Sequence, residues 1–375
     1  MKPQQAKTAL VSGASIAGLA TAYWLSELGY RVLVVELAAA PRTSGGAVNV
    51  GGPALDSIRR MGIYEHLRPH ALRLDQWEFK NADDTTAGSM VLGGEPEGPP
   101  AAEDLEIERH LLIPALLGAI RGEVEYRFGT RITALHEAPT GITATLADGT
   151  QHTFDLVVGC DGVHSGVRKL WFGHEAEYAH FLHHYFSLTS LPKPLVAPGT
   201  AQLYNVPGKV VMVMDQGGKT DVAFCFYSEQ EIAYDYRDTA QQAAIVAEQF
   251  AGEGWRTAEL LAEVAHAQTA YFDKFCQIRM PAWTKGRVAL VGDAGYCATA
   301  AAGMGGSLAL AGAAALAEAI EKHDGNLELA LPAYDHALRP FVEEVQATAL
   351  VMLSEYLVPR TEAAIQKRNK EGIPF

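Results

Sequence analysis

The stretch that most constrains this chain is "LVSGASIAGLATAYWLSELGYRVLVVE", residues 10 to 36. Ala9-Leu10-Val11 is a short apolar run that stops at Gly13, the pattern of a buried parallel strand. Helical patterning runs from Ala17 to Leu28 and ends at Gly29 as a C-cap. "RVLVVE", residues 31 to 36, is a second buried strand. Strand, helix and strand in that order make a βαβ unit, which commits the chain to an α/β fold.

The turn inside this unit is Gly13-Ala14-Ser15-Ile16-Ala17-Gly18. Gly13 permits the tight turn, and Gly18 lets helix and strand approach, helped by Ala22. Ser15 stands where the G-x-G-x-x-G fingerprint has its middle glycine. A hydroxyl there is small and can itself donate to phosphate. Gly13, Ser15, Ile16, Ala17 and Gly18 are therefore expected to hold a pyrophosphate at the helix N-terminus. Glu36 lies 23 residues after Gly13. An acid there bonds ribose hydroxyls and argues against a 2′-phosphate; Leu37, next to it, is assigned to the same site. This stretch alone does not distinguish NAD from FAD.

The chain has 375 residues, 48% hydrophobic and 20% charged, enough for about two packed domains. Its net charge of −14 repels phosphate backbones and anionic membrane surfaces, which argues against nucleic-acid and membrane partners. Cys160, Cys225, Cys276 and Cys297 are far apart and read as small buried residues rather than as metal ligands or disulfides. The N-terminus shows no secretory signal, so a cytoplasmic location is expected. Residues 299 to 320 are nearly uncharged but built of Ala and Gly, which reads as a buried helix rather than a membrane span. "GGEPEGPPAAED", residues 93 to 104, and "LTSLPKPLVAPG", residues 188 to 199, are the loop-like stretches.

Two further stretches add chemistry. In "DLVVGCDGVHSGVRKLW", residues 155 to 171, a strand at 156–159 runs into Asp161-Gly162 and then a helix with Ser165 and Arg168. In "GRVALVGDAGYCATAAAGMGGSLALAGAAALA", residues 286 to 317, a strand at 288–291 runs into Gly292-Asp293-Ala294, a small-residue loop, and a helix starting between Gly303 and Ser307. A glycine turn, a D-G motif and a G-D-A motif in this order resemble the single-component (class A) FAD-dependent monooxygenases, the group around para-hydroxybenzoate hydroxylase. Residues 29 to 63 are most similar to the tetracycline-inactivating flavin monooxygenase branch. The resemblance is strong at 8–62, 105–120, 155–170 and 283–317, and faint from 172 to 270.

The resemblance implies specific roles. Asp293 would bond the ribityl chain near the pyrophosphate, with Gly292 beside it. Gly303, Met304, Gly305 and Gly306 would present backbone N–H groups to flavin N1 and the C2 oxygen, where a helix dipole favours the negative charge of reduced flavin. Arg109, in "EIERHLLIPALL", would reach phosphate or ribityl oxygens. Arg42, with Gly45 and Gly46, would lie beside the flavin ring. Asp161 and Gly162 match a motif tied to flavin and reduced nicotinamide, although Asp161 reads equally as a cap for the next helix. No second glycine fingerprint occurs, which suits NAD(P)H as a transient reductant. Three positions depart from the family pattern: Tyr296 replaces histidine, Ala300 replaces proline, and Asn49 stands where the tetracycline branch often has an acid. These changes bear on oxygen insertion more than on flavin binding.

The middle of the chain reads as a sheet. "AHFLHHYFSL" is one strand, and residues 201 to 228 make three, turning at Pro207-Gly208 and Gly217-Gly218. Period two places Phe224 and Phe226 on one face, and Phe181, His183 and Tyr185 on another. His183, Tyr185, Tyr204, Phe224 and Phe226 are candidate substrate contacts, or an ordinary sheet core; His183, His184 or Tyr204 are candidate bases for a phenolic substrate. The tail from Arg339 to Phe375 reads as one long helix.

The expected architecture is α/β. A discontinuous Rossmann-like FAD-binding domain (1–75, 101–175, 283–340) carries an inserted antiparallel substrate sheet (76–100, 176–282), followed by a C-terminal helix (341–375). The function the resemblance implies is NAD(P)H-driven hydroxylation of a hydrophobic aromatic or polyketide-like small molecule, antibiotics included. It would consume O2 through a flavin C4a-hydroperoxide, in a monomer or homodimer. A flavin dehydrogenase or oxidase and a non-catalytic flavin or ligand binder are the alternatives.

Overall fold

A computed structural model describes residues 6–43, 45–92, 104–265, 267 and 270–373. The elements in chain order are β1 (Thr8–Ser12), α1 (Ile16–Glu27), β2 (Arg31–Glu36), β3 (Val48–Val50), α2 (Pro53–Arg60) and α3 (Tyr64–Leu67). Then come β4 (Gln76–Lys80), β5 (Thr86–Val91), β6 (Leu105–Ile107), α4 (Arg109–Ala119), β7 (Val124–Phe128), β8 (Ile132–Ala138), β9 (Gly141–Leu146), β10 (Gln151–Phe154), β11 (Leu156–Gly159) and α5 (Gly166–Trp171). β12 (Ala179–Leu191), β13 (Thr200–Val206), β14 (Lys209–Gln216), β15 (Lys219–Tyr227), α6 (Thr239–Gln249), α7 (Thr257–Ala265) and β16 (Ala270–Ile278) follow. The chain closes with β17 (Thr284–Lys285), β18 (Val288–Leu290), α8 (Asp293–Tyr296), α9 (Gly305–Lys322), α10 (Leu327–Val351) and α11 (Glu362–Glu371).

The chain divides into two compact units: 1–71, 103–180 and 276–346 in the first, and 72–102, 181–275 and 347–375 in the second. In the first unit a six-stranded sheet runs β17-β18-β11-β1-β2-β7, parallel except for β17. Its central strands are apolar along their length because they are buried under α1 and α5 and under the strands β9 and β10. α1 is buried from Ile16 to Ser26 and packs against α9, whose Ala and Gly residues let the two helices approach. The uncharged stretch at 299–320 is thus mostly this buried helix. No helix among the described residues is long and apolar enough to cross a membrane. β8, β9 and β10 form a separate antiparallel sheet, and β3 pairs with β6 in a two-stranded ribbon.

The second unit holds a seven-stranded sheet, β16-β12-β15-β14-β13-β4-β5. It is not wholly antiparallel: β13 and β4 run parallel. One face is covered by α6 and α7 and holds the unit's apolar core. α11 packs beside β5 and β13. There the buried Arg368 donates to Tyr356 C=O (2.7 Å) and Asn205 Oδ1 (2.5 Å), 4.4 Å above the Phe79 ring, and burial pulls its guanidinium down to about 10.

Two expectations change. The tail is not one helix: α10 ends at Val351, a π-helical turn spans Met352–Leu357, and α11 is a new helix capped by Thr361. Pro359, which lacks an N–H, stands in the break. The stretch 188–199 opens as strand, because β12 continues to Leu191. The loop expected at 93–104 lies, apart from Asp104, outside the described residues.

Candidate cofactor site

The turns singled out in the sequence lie far apart in the chain but follow neighbouring strands. Gly13 follows β1, Glu36 ends β2, Asp161 follows β11, and Asp293 follows β18. In the sheet these strands stand side by side as β18-β11-β1-β2. All four turns are therefore at the carboxyl edge of one parallel sheet. The order reverses at β1, the switch point at which such sheets bind ligands.

Gly13 donates its N–H to Val35 C=O at 2.7 Å with φ of +105°, and a Cβ there would strike the Cys160 carbonyl. A Cβ at Gly18 would strike the Gly13 carbonyl. Only glycine allows both approaches. Ser15 is the N-cap of α1 in extended conformation, and its hydroxyl makes no capping bond. Glu36 accepts from Ala14 N–H and from Ala38 N–H, both at 2.8 Å, so the acid braces the turn as well as facing the edge of the sheet. Arg42 stands 3.9 Å from Glu36, and Leu37 is 62% exposed beside it.

Asp161 braces the start of α5, whose N-cap is Ser165. It accepts from Ser165 Oγ (2.5 Å), Val167 N–H (3.1 Å) and Ser12 Oγ (3.4 Å). Burial nonetheless raises its carboxyl above the ordinary value. Gly162 follows with φ of +80°. Arg168, 1% exposed, is more than a helical residue after this motif. It donates to Ala294 C=O (2.8 Å) and Val163 C=O (2.5 Å), and pairs with Glu175 at 3.1 Å. It thereby fastens the D-G turn to the G-D-A turn.

Gly292, with φ of +70°, lies against Ala17 of α1 and Ala309 of α9. Asp293 is an exposed residue, yet crowding by neighbouring atoms raises its carboxyl through desolvation; the Cys297 thiol hydrogen bond and the Arg109 charge pull it back down. Arg109 opens α4 and donates Nε–H to Gly46 C=O at 3.2 Å. Gly46, Arg109 and Asp293 are thus brought to one end of the site. Gly303 is left-handed, Met304 is the N-cap of α9, and Gly305 and Gly306 start the helix, with neither a side-chain cap nor an acid in its first turn. Thr299 precedes Ala300 at φ +87° and ψ 153°, a region otherwise left to glycine, with its buried hydroxyl unpartnered.

Sequence reasoning missed two glutamines. Gln277 donates to Ala298 C=O (3.2 Å), and Gln346 donates to Cys297 C=O (3.2 Å), so buried amides hold the loop after Asp293. They carry no local signal, because each is defined only by a distant partner. Tyr296, in the family's histidine position, is fully buried. Its ring lies 4.5 Å from Trp283, and its hydroxyl meets that of Tyr334 at 3.1 Å. Space for it comes from Gly312, where a Cβ would overlap the Tyr296 hydroxyl. Gly312→Ala should therefore cost about 1–3 kcal/mol through overpacking. Adding Tyr296→Phe should recover part of the loss; urea midpoints of the single and double variants test this.

The substrate assignments in the sheet need correction. Tyr185, Phe224 and Phe226 are 0% exposed, and Tyr204 is buried, on the face covered by α6 and α7. Register pairs Tyr185 with Phe226 and stacks their rings at 5.5 Å, so the two aromatic sets share one face rather than two. Period two identifies faces but not which one a helix covers. His183 is exposed and bonds Glu229 C=O at 3.0 Å. His184 is buried, donates Nδ1–H to Leu182 C=O at 2.6 Å, and is held below its ordinary pKa by desolvation. The opposite face carries Phe186, Leu188, Met214 and Trp77, all half-buried and outside both apolar cores.

Comparison with known proteins agrees with this edge-of-sheet geometry. A family model described as "FAD binding domain" matches residues 6–349. A flavin-dependent monooxygenase from an unknown prokaryotic organism is 32% identical over 98% of this chain and 94% of its own length. An uncharacterized protein of Mycobacterium tuberculosis, Rv1260, is 36% identical over 91% of this chain and 92% of its own. The crystal structure of tetracycline destructase Tet(55) is 31% identical, with a TM-score of 0.84 over 98% of this chain and 95% of that one. The class defined is an FAD-dependent oxidoreductase. The chain belongs to the FAD-binding-domain family of flavin-dependent monooxygenases, near the tetracycline destructases.

Proposed function

We propose that this monooxygenase uses NAD(P)H and O2 to hydroxylate a hydrophobic aromatic or polyketide-like small molecule. The observation that carries the reading is the convergence of Gly13, Glu36, Asp161 and Asp293 on one carboxyl edge. The residues there fit FAD. Two helices, α1 and α9, start without side-chain caps or acids, as anion-facing N-termini do. The first-turn amides of α1 with Ser15 would hold the pyrophosphate. Glu36 would take the adenosine ribose, and Leu37 and Arg42 would flank it. Asp293 and Arg109 would take the ribityl chain, and Gly46 with Gly303–Gly306 the flavin ring.

FAD, when bound, supplies the redox chemistry with NAD(P)H and O2. The protein's part is to bind, orient and exclude water. We assign substrate contact to the face of the second unit's sheet opposite α6 and α7, beyond the part that α11 covers at Phe79 and Asn205. Phe186, Leu188, Met214 and Trp77 there offer flat, polarizable surface suited to a planar ring system. Tetracycline is the first compound to try, because the similar proteins Tet(51) and Tet(55) are tetracycline destructases.

The test is the visible spectrum of purified protein before and after anaerobic NADPH or NADH, followed by turnover under ¹⁸O2. Two flavin bands that bleach, and label in the product, are expected. Bleaching with hydrogen peroxide but no labelled product for any aromatic tried would support the dehydrogenase or oxidase reading. No flavin bands after reconstitution with FAD would overturn the site.

A further inference from the structure

Ser307, the third residue of α9, is fully buried. Its Oγ donates to Asn49 C=O at 2.9 Å and accepts from Gly51 N–H at 3.0 Å. Asn49 is the central residue of β3, and Gly51 follows that strand. One hydroxyl, using its single proton and a lone pair, therefore bolts the first turn of α9 to the β3–β6 ribbon. Shape reinforces the bolt: a Cβ on Gly306 would overlap the Val48 side chain. The Asn49 side chain does not share the task, since its Oδ1 is buried without a partner.

α9 is 18 residues long and its N-terminus carries no acid or side-chain cap. No acid or side-chain cap of the helix itself offsets its partial positive charge, and that field fades within the first turn. Small displacements of this turn therefore change how strongly it favours a negative ligand.

We propose that Ser307 is a positioning residue for the bound flavin. It keeps the amide end of α9 in register with the ribbon and so sets how far the site prefers reduced, anionic FAD over oxidised FAD. This rests on the cofactor assignment above. Loss of the hydroxyl removes both bonds that tie the turn to the ribbon, and the turn is free to shift. The charged form registers that shift more than the neutral ring does.

The experiment is titration of apoprotein with oxidised FAD in air and with dithionite-reduced FAD under anaerobic conditions. For Ser307→Ala, the dissociation constant of reduced FAD should rise about fivefold more than that of oxidised FAD. An equal rise in both, or none, overturns the proposal, because a merely structural bolt would not discriminate between redox states. Gly306→Ala gives a second route, pushing the same joint apart through Val48. Should Ser307→Ala fail to fold, this pair decides: selective loss in Gly306→Ala with recovery in Gly306→Ala/Val48→Ala supports the proposal, and uniform or unrecovered loss overturns it. Wild-type protein that binds neither form of FAD overturns the cofactor assignment along with this proposal. Wild type that binds both, with variants that do not discriminate, overturns this proposal alone.

Discussion

Replacement of Arg168 by methionine is expected to lower folding stability by about 2–4 kcal/mol. The guanidinium is 1% exposed and spans Ala294 C=O, Val163 C=O and the Glu175 carboxylate. Methionine fills much of the volume but leaves two carbonyls without donors and Glu175 without its cation. Part of that loss is offset, because a buried cation is itself costly to desolvate; burial already pulls the Arg168 pKa down. Glu175 stays partly wet and keeps His164 at 3.0 Å, so its share of the loss is small. Lysine should recover only a fraction, since one ammonium does not reproduce a planar fork across three acceptors. Urea midpoints of wild type, Arg168→Met and Arg168→Lys check the order. A methionine variant as stable as wild type would show that the two turns hold together without the arginine. Because Ala294 adjoins Asp293, the methionine variant should also release FAD more readily.

What was legible in the sequence follows from how local the physical demand is. Gly13 and Gly18 were readable because a backbone collision excludes every larger residue, and that exclusion is written at the position itself. The alternation through residues 200 to 227 showed β13, β14 and β15 and both their turns for the same reason. The Ala and Gly run of α9 announced a helix buried all round. The aromatic residues of β12 and β15 read equally as pocket lining or sheet core, because their alternation says nothing about α6 and α7 above them, which make them core. Tyr296 reads in the sequence only as a departure from the family's histidine; that its ring is packed shows through Gly312, 16 positions later, which leaves room for the hydroxyl. Gln277 and Gln346 were silent, since a buried amide is defined by the carbonyl it meets. Arg168 lay in a stretch already singled out, but its reach to Ala294 appears only once β11 and β18 are neighbours.

Asp293→Asn should raise the dissociation constant for FAD roughly 10- to 100-fold, the range expected when a hydrogen bond to a charged group is reduced to a neutral one. The same change should make the apoprotein more resistant to urea at neutral pH. The sign follows from the raised carboxyl. Desolvation lifts Asp293 above its unfolded value near ~3.9, against the pull of Cys297 and Arg109. A group raised on folding contributes stability that is fully present below the unfolded value and is lost as pH rises through the folded one. Wild type therefore loses this contribution on going from acid to neutral pH, and the asparagine variant has none to lose. The gap between their urea midpoints should open from pH 4 to pH 8 in favour of the variant. Asp161, also raised, is present in both proteins and cancels. A gap that opens the other way would mean that the Arg109 charge outweighs desolvation and that the carboxylate is a stabilising partner of that arginine. A gap in the expected direction, together with weakened FAD binding, identifies Asp293 as a charge kept at the edge of the sheet for the ligand, at the expense of the empty fold.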